Sequence, residues 1–205
     1  MKVLLINGSQ HEKGCTYTAL AEVAKALNAN GVETEIYQVP QEIRGCKGCW
    51  ACKKTKQCVI DDGVNEFVAK AAQFDGFVFG SPVYYASASG GLVAFMDRVF
   101  YSGGKNLAYK PAAAVVSCRR AGASTTFDVI NKYFTINNMP VVGSNYWNEI
   151  HGNTAEEALQ DEEGLQIMRV LGNNMAWLLK CIALGKEAGL APERERKIMT
   201  NFIRS

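Results

Sequence analysis

Short apolar runs that stop at glycine or serine alternate with helix-period segments along most of the chain, and that alternation admits few folds. Lys2-Val3-Leu4-Leu5-Ile6-Asn7 ends in Gly8-Ser9 and reads as a strand buried on both faces. Leu20, Val23, Ala24 and Leu27 then recur at helical spacing until Asn30-Gly31, a stop signal. Val32, Thr34 and Ile36 alternate with Glu33, Glu35 and Tyr37, the pattern of a half-exposed strand. Phe77-Val78-Phe79, closed by Gly80-Ser81-Pro82, and Ala112 to Ser117 are further buried runs, and Met139 to Val142 supplies the last strand. Helical stripes separate them. One carries Val64, Phe67, Val68 and Ala71 behind a cap expected at Asp61-Asp62. A second carries Leu92, Phe95, Met96 and Val99, and a third Phe127, Ile130 and Phe134. Five strands alternating with helices predict an α/β, doubly wound parallel sheet with right-handed crossovers.

The tail adds helix and no strand. Thr154-x-x-Glu157 is a capping-box pattern, and Met168, Leu171, Met175, Leu178 and Ile182 form a 3-4-3-4 stripe. That stripe either covers one face of the sheet or meets a second copy of the chain. We expect one domain over residues 1–205, with a cysteine-rich insertion at about 40–60 and a helical tail at about 154–205.

Composition excludes several function classes. Twenty-two basic and twenty acidic residues leave a net charge of +2 with no basic stripe, so nucleic acid is not an expected partner. Met1–Ile6 is too short for a signal-peptide core. The uncharged run from Gly76 to Met96 is long enough to span a bilayer, but its glycines, serines and Pro82 break it into strand, loop and helix start. The expected location is the cytoplasm, with no membrane contact.

Of seven cysteines, four fall within thirteen residues as Cys46-x2-Cys49-x2-Cys52-x5-Cys58. A secreted disulfide framework spreads its cysteines through a small chain that lacks a core, which this is not. Two-residue gaps let successive thiolates converge on one inorganic core, as in ferredoxin-type runs. Four-thiolate zinc usually takes two separated knuckles, and a thiol–disulfide switching loop is a third reading. Trp50, inside the run, either shields a metal or packs the loop. Cys181 is expected to be buried in the tail helix, and Cys118 to be a small residue at a strand end.

Ligands of a doubly wound sheet bind beyond the carboxyl ends of its strands. The first loop there, Gly8-Ser9-Gln10-His11-Glu12-Lys13-Gly14-Cys15-Thr16, is neither a G-x-G-x-x-G fingerprint nor a Walker A loop. Hydroxyls on Ser9, Thr16 and Thr18, with the free amides of a helix start, suit a terminal phosphate monoester. His11 and Lys13 read as solvated. Gly80-Ser81-Pro82-Val83-Tyr84-Tyr85-Ala86-Ser87 and Ser117-Cys118-Arg119-Arg120-Ala121-Gly122 leave the same edge. Their small residues allow close backbone approach to a flat ligand, while Tyr84 or Tyr85 can pack on a ring.

The Gly-Ser loop, Gly80-Ser81-Pro82-Val83-Tyr84-Tyr85 and the Phe95-Met96-Asp97-Arg98 helix together resemble the NADPH-dependent FMN reductase branch of the flavodoxin-like fold, over about residues 1–150. The resemblance implies strand order 2-1-3-4-5 and bound FMN. It places Ser9, Gln10, Cys15 and Thr16 at the phosphate, and Pro82, Val83, Tyr84, Tyr85 and Ala86 along the ribityl chain and ring edge. Ser117, Cys118, Arg119 and Gly122 then lie at the pyrimidine side. Arg119 and Arg120 either favour an anionic reduced flavin or a nicotinamide phosphate, or are surface residues beside the site. The cysteine spacing resembles the compact motif of the iron–sulfur flavoproteins, which implies Cys46, Cys49, Cys52 and Cys58 as ligands of a 4Fe-4S cluster.

The expected function is an FMN-dependent oxidoreductase of the iron–sulfur flavoprotein type. Electrons would pass from NAD(P)H or a protein donor through FMN to a small-molecule acceptor or redox protein. The flavin carries the chemistry, so no catalytic side chain is nominated, His151 included. A flavodoxin-like carrier without its own substrate and a zinc-stabilised module are the alternatives. A homodimer or homotetramer is expected.

Overall fold

The apolar runs fold as strands where neighbouring chain can wall them on both sides. β1 (Lys2–Asn7) leads through α1 (Cys15–Ala29) to the edge strand β2 (Glu33–Gln38). The cysteine-rich loop contains one short helix, α2 (Ala51–Thr55), and is followed by α3 (Val64–Ala71). β3 (Gly76–Tyr84) turns back in a short antiparallel arm, β4 (Ser87–Ala88), before α4 (Gly90–Gly103). β5 (Ala112–Cys118), α5 (Ala123–Ile136), β6 (Glu149–His151), α6 (Ala155–Ala158) and α7 (Glu162–Glu187) follow. The coordinates are a computed structural model that describes residues 1–196 and 198–200.

The parallel strands lie in the order β2-β1-β3-β5-β6. This is the 2-1-3-4-5 order of a flavodoxin-like sheet. Successive side chains of a strand face opposite sides. Val3, Leu5, Val78, Ala113 and Val115 therefore pack with α1 and α7, while Leu4, Ile6, Phe77, Phe79 and Ala114 pack with α3, α4 and α5. Phe67, Phe95 and Phe134 are wholly buried in the second layer. Burying a side chain of this size contributes roughly 1.5–3 kcal/mol relative to leaving it in water.

Helix α7 sits so close on α1 that a Cβ at Gly172 would stand 2.7 Å from Ala26 Cβ and 2.8 Å from the Val23 carbonyl. Met168, Leu171 and Met175 are thus core, which is the sheet-covering reading of the stripe. By length and composition α7 would also cross a bilayer, but its inner face is taken up by α1 and the sheet. Cys181 is exposed rather than buried, on the outer face with Trp177 and Leu184. The helix stops at Glu187 in a Schellman turn, with the Leu190 amide donating to the Gly185 carbonyl at 2.8 Å. The tail expected to be helical to its end has no regular element over 191–196 and 198–200, and residues 201–205 lie outside the described part.

Two local expectations are corrected. Val141 makes only an isolated bridge to Ala112, and the last strand is Glu149–His151, paired with Val116–Cys118. The chain follows β5 in two pieces, because it leaves the sheet at Gly143-Ser144 and returns where Asn148 donates from Nδ2 to the Ala114 carbonyl at 2.9 Å. Nor do Asp61-Asp62 cap α3. Gly63, at φ 92°, precedes that helix, and the Asp62 carboxylate turns instead to Arg98.

Candidate functional site

Parallel pairing brings Asn7, Tyr84, Cys118 and His151 to one edge of the sheet, where the chain order reverses between β1 and β3. A cleft of about 770 Å³ opens there. Ser9, Gln10, Cys15 and Thr16 line it from the first loop, Pro82, Val83 and Tyr84 from β3, and Ser117, Cys118 and Arg119 from the end of β5.

Three expected residues stand outside it. Tyr85, at φ 60°, projects from the β3–β4 turn beside the exposed Ala86. Gly122 precedes α5 at φ 88°, and a Cβ there would lie 2.9 Å from Val83 Cγ1. A left-handed residue with a side chain costs roughly 1–2 kcal/mol. Gly122→Ala should therefore lower the unfolding midpoint and displace Val83 from the cleft wall, which urea titration and FMN affinity would register together.

Gly152, Asn153 and Thr154 also line the cleft. Sequence reasoning missed them because the last strand was placed at Met139–Val142, leaving this turn far from any strand end. A strand assigned at Glu149–His151 would have put it on the binding edge.

The first loop is held in shape from below. Asn7 Nδ2 donates to Gln38 Oε1 at 2.7 Å, and Gln38 Nε2 donates to the Ser9 carbonyl at 2.7 Å. The His11 amide donates to Ser9 Oγ at 3.1 Å. Neither Asn7 nor Gln38 carried a motif signal, since each is the last residue of its strand. The residue before α1 is Gly14, and no side chain caps this helix or places an acid in its first turn. Its positive end, equivalent to roughly half a charge, therefore faces the cleft with no acid in the helix's own first turn, while Glu12 lines the cleft from the loop before it. Beside it Thr16 Oγ1 and Ser117 Oγ share a hydrogen bond of 2.8 Å, both residues being buried. Lys13 lies over the Tyr17 ring, 3.8 Å from its centroid, and contributes its charge from the rim. Amides, two hydroxyls and a helix end with no competing first-turn carboxylate fit a phosphate monoester.

At the opposite wall Cys118 Sγ lies 3.4 Å from His151 Nδ1, and His151 Nε2 lies 4.0 Å from Glu149. Burial, with Glu149 nearby, pushes the Cys118 thiol up, and burial does the same to Cys15. Both are therefore protonated at neutral pH and poor nucleophiles.

The cysteine loop forms a second, smaller cleft against α4. Cys46, Cys49, Cys52 and Cys58 all border it, together with Arg98 and Tyr101. Backbone at Gly48, Trp50 and Lys56 is left-handed, which folds the loop tightly enough to bring the four thiols to one side. Trp50 is half-exposed, edge-on to Tyr101 at 5.6 Å and covered by Lys53. It packs the loop onto α4. Among the described residues, no three His, Cys, Asp or Glu side chains stand close enough to hold a metal as placed. The thiols thus share a cleft without meeting at a point, while the donor set itself, four thiols on one short loop, suits an iron–sulfur core or zinc.

Arg98 anchors this loop, a role that its place in the Phe95-Met96-Asp97-Arg98 segment did not reveal. Its side chain is 1% exposed and pairs with Asp62 through both carboxylate oxygens. Burial would raise the Asp62 carboxyl, but hydrogen bonds from Arg98 and the Arg44 amide, with the Arg98 charge, outweigh it and hold the group below its ordinary 3.8. Because the folded value is the lower one, the stability it contributes is complete above the unfolded value and is lost as pH falls through the folded one. Asp62→Asn should cost about 3–5 kcal/mol at neutral pH by stranding a buried cation. The gap from the parent protein should narrow in acid, as urea unfolding across a pH series would record.

Comparison with known proteins agrees with this geometry. The family model for NADPH-dependent FMN reductase matches residues 1–154. An iron–sulfur flavoprotein of Methanocaldococcus jannaschii is 35% identical over 191 residues, covering 89% of this chain and 99% of its own. One of Methanosarcina thermophila is 29% identical, covering 91% and 100%. An archaeal flavodoxin superposes with a TM-score of 0.61 at 15% identity, covering 88% of this chain and 99% of that one, and bears on the fold alone. Matched across three quarters of its length by the reductase family and along nearly its whole length by relatives named as iron–sulfur flavoproteins, the chain belongs to the NADPH-dependent FMN reductase family, among its iron–sulfur flavoproteins.

Proposed function

We propose that this FMN-dependent oxidoreductase takes electrons from NAD(P)H or a reduced protein. It would pass them singly, by way of a 4Fe-4S cluster on Cys46, Cys49, Cys52 and Cys58, to a small-molecule acceptor or a redox protein. The observation that carries the reading is a pair of separate clefts, one at the carboxyl edge of the sheet and one between the cysteine loop and α4. One is built for a phosphate beside a flat ring, and the other is bordered by four thiols.

In this reading Ser9, Gln10, Cys15 and Thr16 bind the FMN phosphate through amides and hydroxyls. Pro82, Val83 and Tyr84 wall the ribityl chain and one ring edge, with Tyr85 and Ala86 beyond them. Ser117, Cys118 and Arg119 lie against the pyrimidine side, with Gly122 setting their turn. Bound there, FMN supplies both hydride acceptance and single-electron release, chemistry that no side chain of this chain provides. Arg119, exposed at the rim, places positive charge where a reduced ring or a nicotinamide phosphate would carry negative charge. Cys118 keeps its proton on Sγ beside His151 Nδ1, so that wall adds no second anion. The free cysteines suit a reducing compartment, the cytoplasm. The outer face of α7, with Trp177 and Leu184 about two-thirds exposed, suits contact with a second copy in a homodimer or homotetramer.

The test is anaerobic purification followed by the visible spectrum with iron, sulfide and zinc analysis. Flavin absorbance with iron and sulfide, and NAD(P)H oxidation well above a free-FMN blank, are expected. Oxidation at the blank rate would leave a carrier. Zinc without iron or sulfide would leave a zinc-stabilised loop and remove the single-electron route.

A further inference from the structure

We infer that Arg98 is a positioning residue for the metal loop, which fixes Cys58 and raises the reduction potential of the centre that the four thiolates hold. The inference rests on the cluster reading above and adds a role for a side chain outside the ligand set.

A guanidinium has five N–H donors in a rigid fork. Here each set finds acceptors. Nη1 donates to the Arg44 carbonyl at 3.1 Å and to Asp62 Oδ2 at 2.5 Å, and Nη2 donates to the Ile60 carbonyl at 2.9 Å and to Asp62 Oδ1 at 2.7 Å. The remaining donor, Nε–H, is aimed at Cys58 Sγ, 3.2 Å away. The two carbonyls and the carboxylate already suffice to tie the loop to α4, so the bond to sulfur is a separate feature. A neutral thiol is a weak acceptor, whereas a metal-bound sulfur carries negative charge and makes a charge-assisted bond.

Cys58 is also the most firmly held of the four. Its amide donates to Asn65 Oδ1 and its carbonyl accepts from Asn65 Nδ2, both at 2.9 Å. Cys46 and Cys49 are exposed, with no comparable support. Backbone and sulfur of Cys58 are therefore both fixed before any metal arrives, while the other three thiols have still to close. A centre held there would carry more negative charge on its sulfurs once reduced by one electron, and an N–H donor from Arg98 inside the buried site would favour that reduced state. Asp62 works against this by neutralising the Arg98 charge, which makes the pair testable in both directions.

The experiment compares the parent holoprotein with Arg98→Lys and Asp62→Asn, reading iron and sulfide content, FMN content, the electron paramagnetic resonance of the reduced centre and its midpoint potential. Arg98→Lys keeps the charge and loses the Nε–H donor. It should shift the one-electron equilibrium at least tenfold toward the oxidised centre, about 59 mV downward, with FMN content unchanged. Asp62→Asn keeps the donor and should shift it upward. Iron lost from Arg98→Lys with FMN retained would support the role in fixing Cys58. Loss of iron and FMN together would mark Arg98 as a residue of the general fold and overturn the inference. Equal potentials in all three proteins, each holding its cluster, would overturn it while leaving the cluster reading intact. A parent protein without iron or sulfide would overturn both.

Discussion

Replacing Thr16 with glutamate is expected to abolish FMN retention through purification and to weaken reconstitution of the apoprotein by roughly a hundredfold to a thousandfold. Thr16 is buried beside Ser117, one residue into a helix whose first turn carries no acid. A glutamate there would place its carboxylate in the position proposed for the phosphate. Two unit charges about 4 Å apart repel by about 4 kcal/mol at an effective dielectric near 20, and about 1.4 kcal/mol is tenfold in affinity. Water in the open cleft screens part of this, hence the lower bound. Thr16→Val serves as the control. It removes the hydroxyl and leaves Ser117 without that partner, a loss of about 0.5–1.5 kcal/mol, and so at most about tenfold in affinity. Fluorescence quenching of FMN by each apoprotein gives the affinities, and thermal unfolding of the apoproteins shows whether α1 still packs. An unchanged affinity in a folded Thr16→Glu protein would remove the phosphate from this loop.

The sheet was legible because its strands are short apolar runs whose neighbours are equally apolar. Val3 to Ile6 and Ala112 to Val116 have no other place in a folded chain than between two layers of helix. The same criterion failed for the last strand. Glu149-Ile150-His151 pairs at the sheet edge with only Ile150 fully buried, so its pattern is weak, while the more apolar Met139 to Val142 merely touches the start of β5. The three cleft loops were visible from hydroxyls and small residues placed after strands, and the fourth, Gly152 to Thr154, was hidden by that misplaced strand. The pairing of Arg98 with Asp62 was invisible for a different reason. It joins positions thirty-six residues apart, whereas Asp62 alone reads as a helix cap and Arg98 as one residue of a helix segment. Gln38 under the first loop belongs to the same class. Sequence pattern exposes what a residue does with its neighbours in the chain, and these residues act across it.

Serine at Cys52 should empty the thiol-lined cleft of iron and sulfide while leaving FMN bound, because the two clefts share no lining residue. Losing a mere supporting contact typically weakens metal binding by ~10–100-fold, and losing a ligand outright should exceed that. Helix α4 relates the two sites. Gly91 at its start approaches Gln10 of the phosphate loop, whereas Arg98 faces the cysteines roughly 10 Å further along the helix, at 1.5 Å per residue. The cysteine loop leaves the sheet edge after β2 and packs against α4, and none of its residues lines the cleft at that edge. Cys46 and Cys49, at the mouth of their cleft, are solvent-exposed. On the proposed cluster reading, an electron path completed at a second copy of the chain would enter from this exposed side. A nicotinamide gives up a hydride, two electrons together, whereas an iron–sulfur centre takes one at a time. The Cys52→Ser protein should therefore reduce its flavin with NAD(P)H at nearly the parent rate, while turnover with one-electron acceptors falls by well over tenfold, in line with the metal loss. Equal slowing of both half-reactions, with FMN retained, would mean that the loop shapes the donor site. Parent rates toward one-electron acceptors, in a protein shown to have lost its iron, would remove the cysteine loop from the electron path.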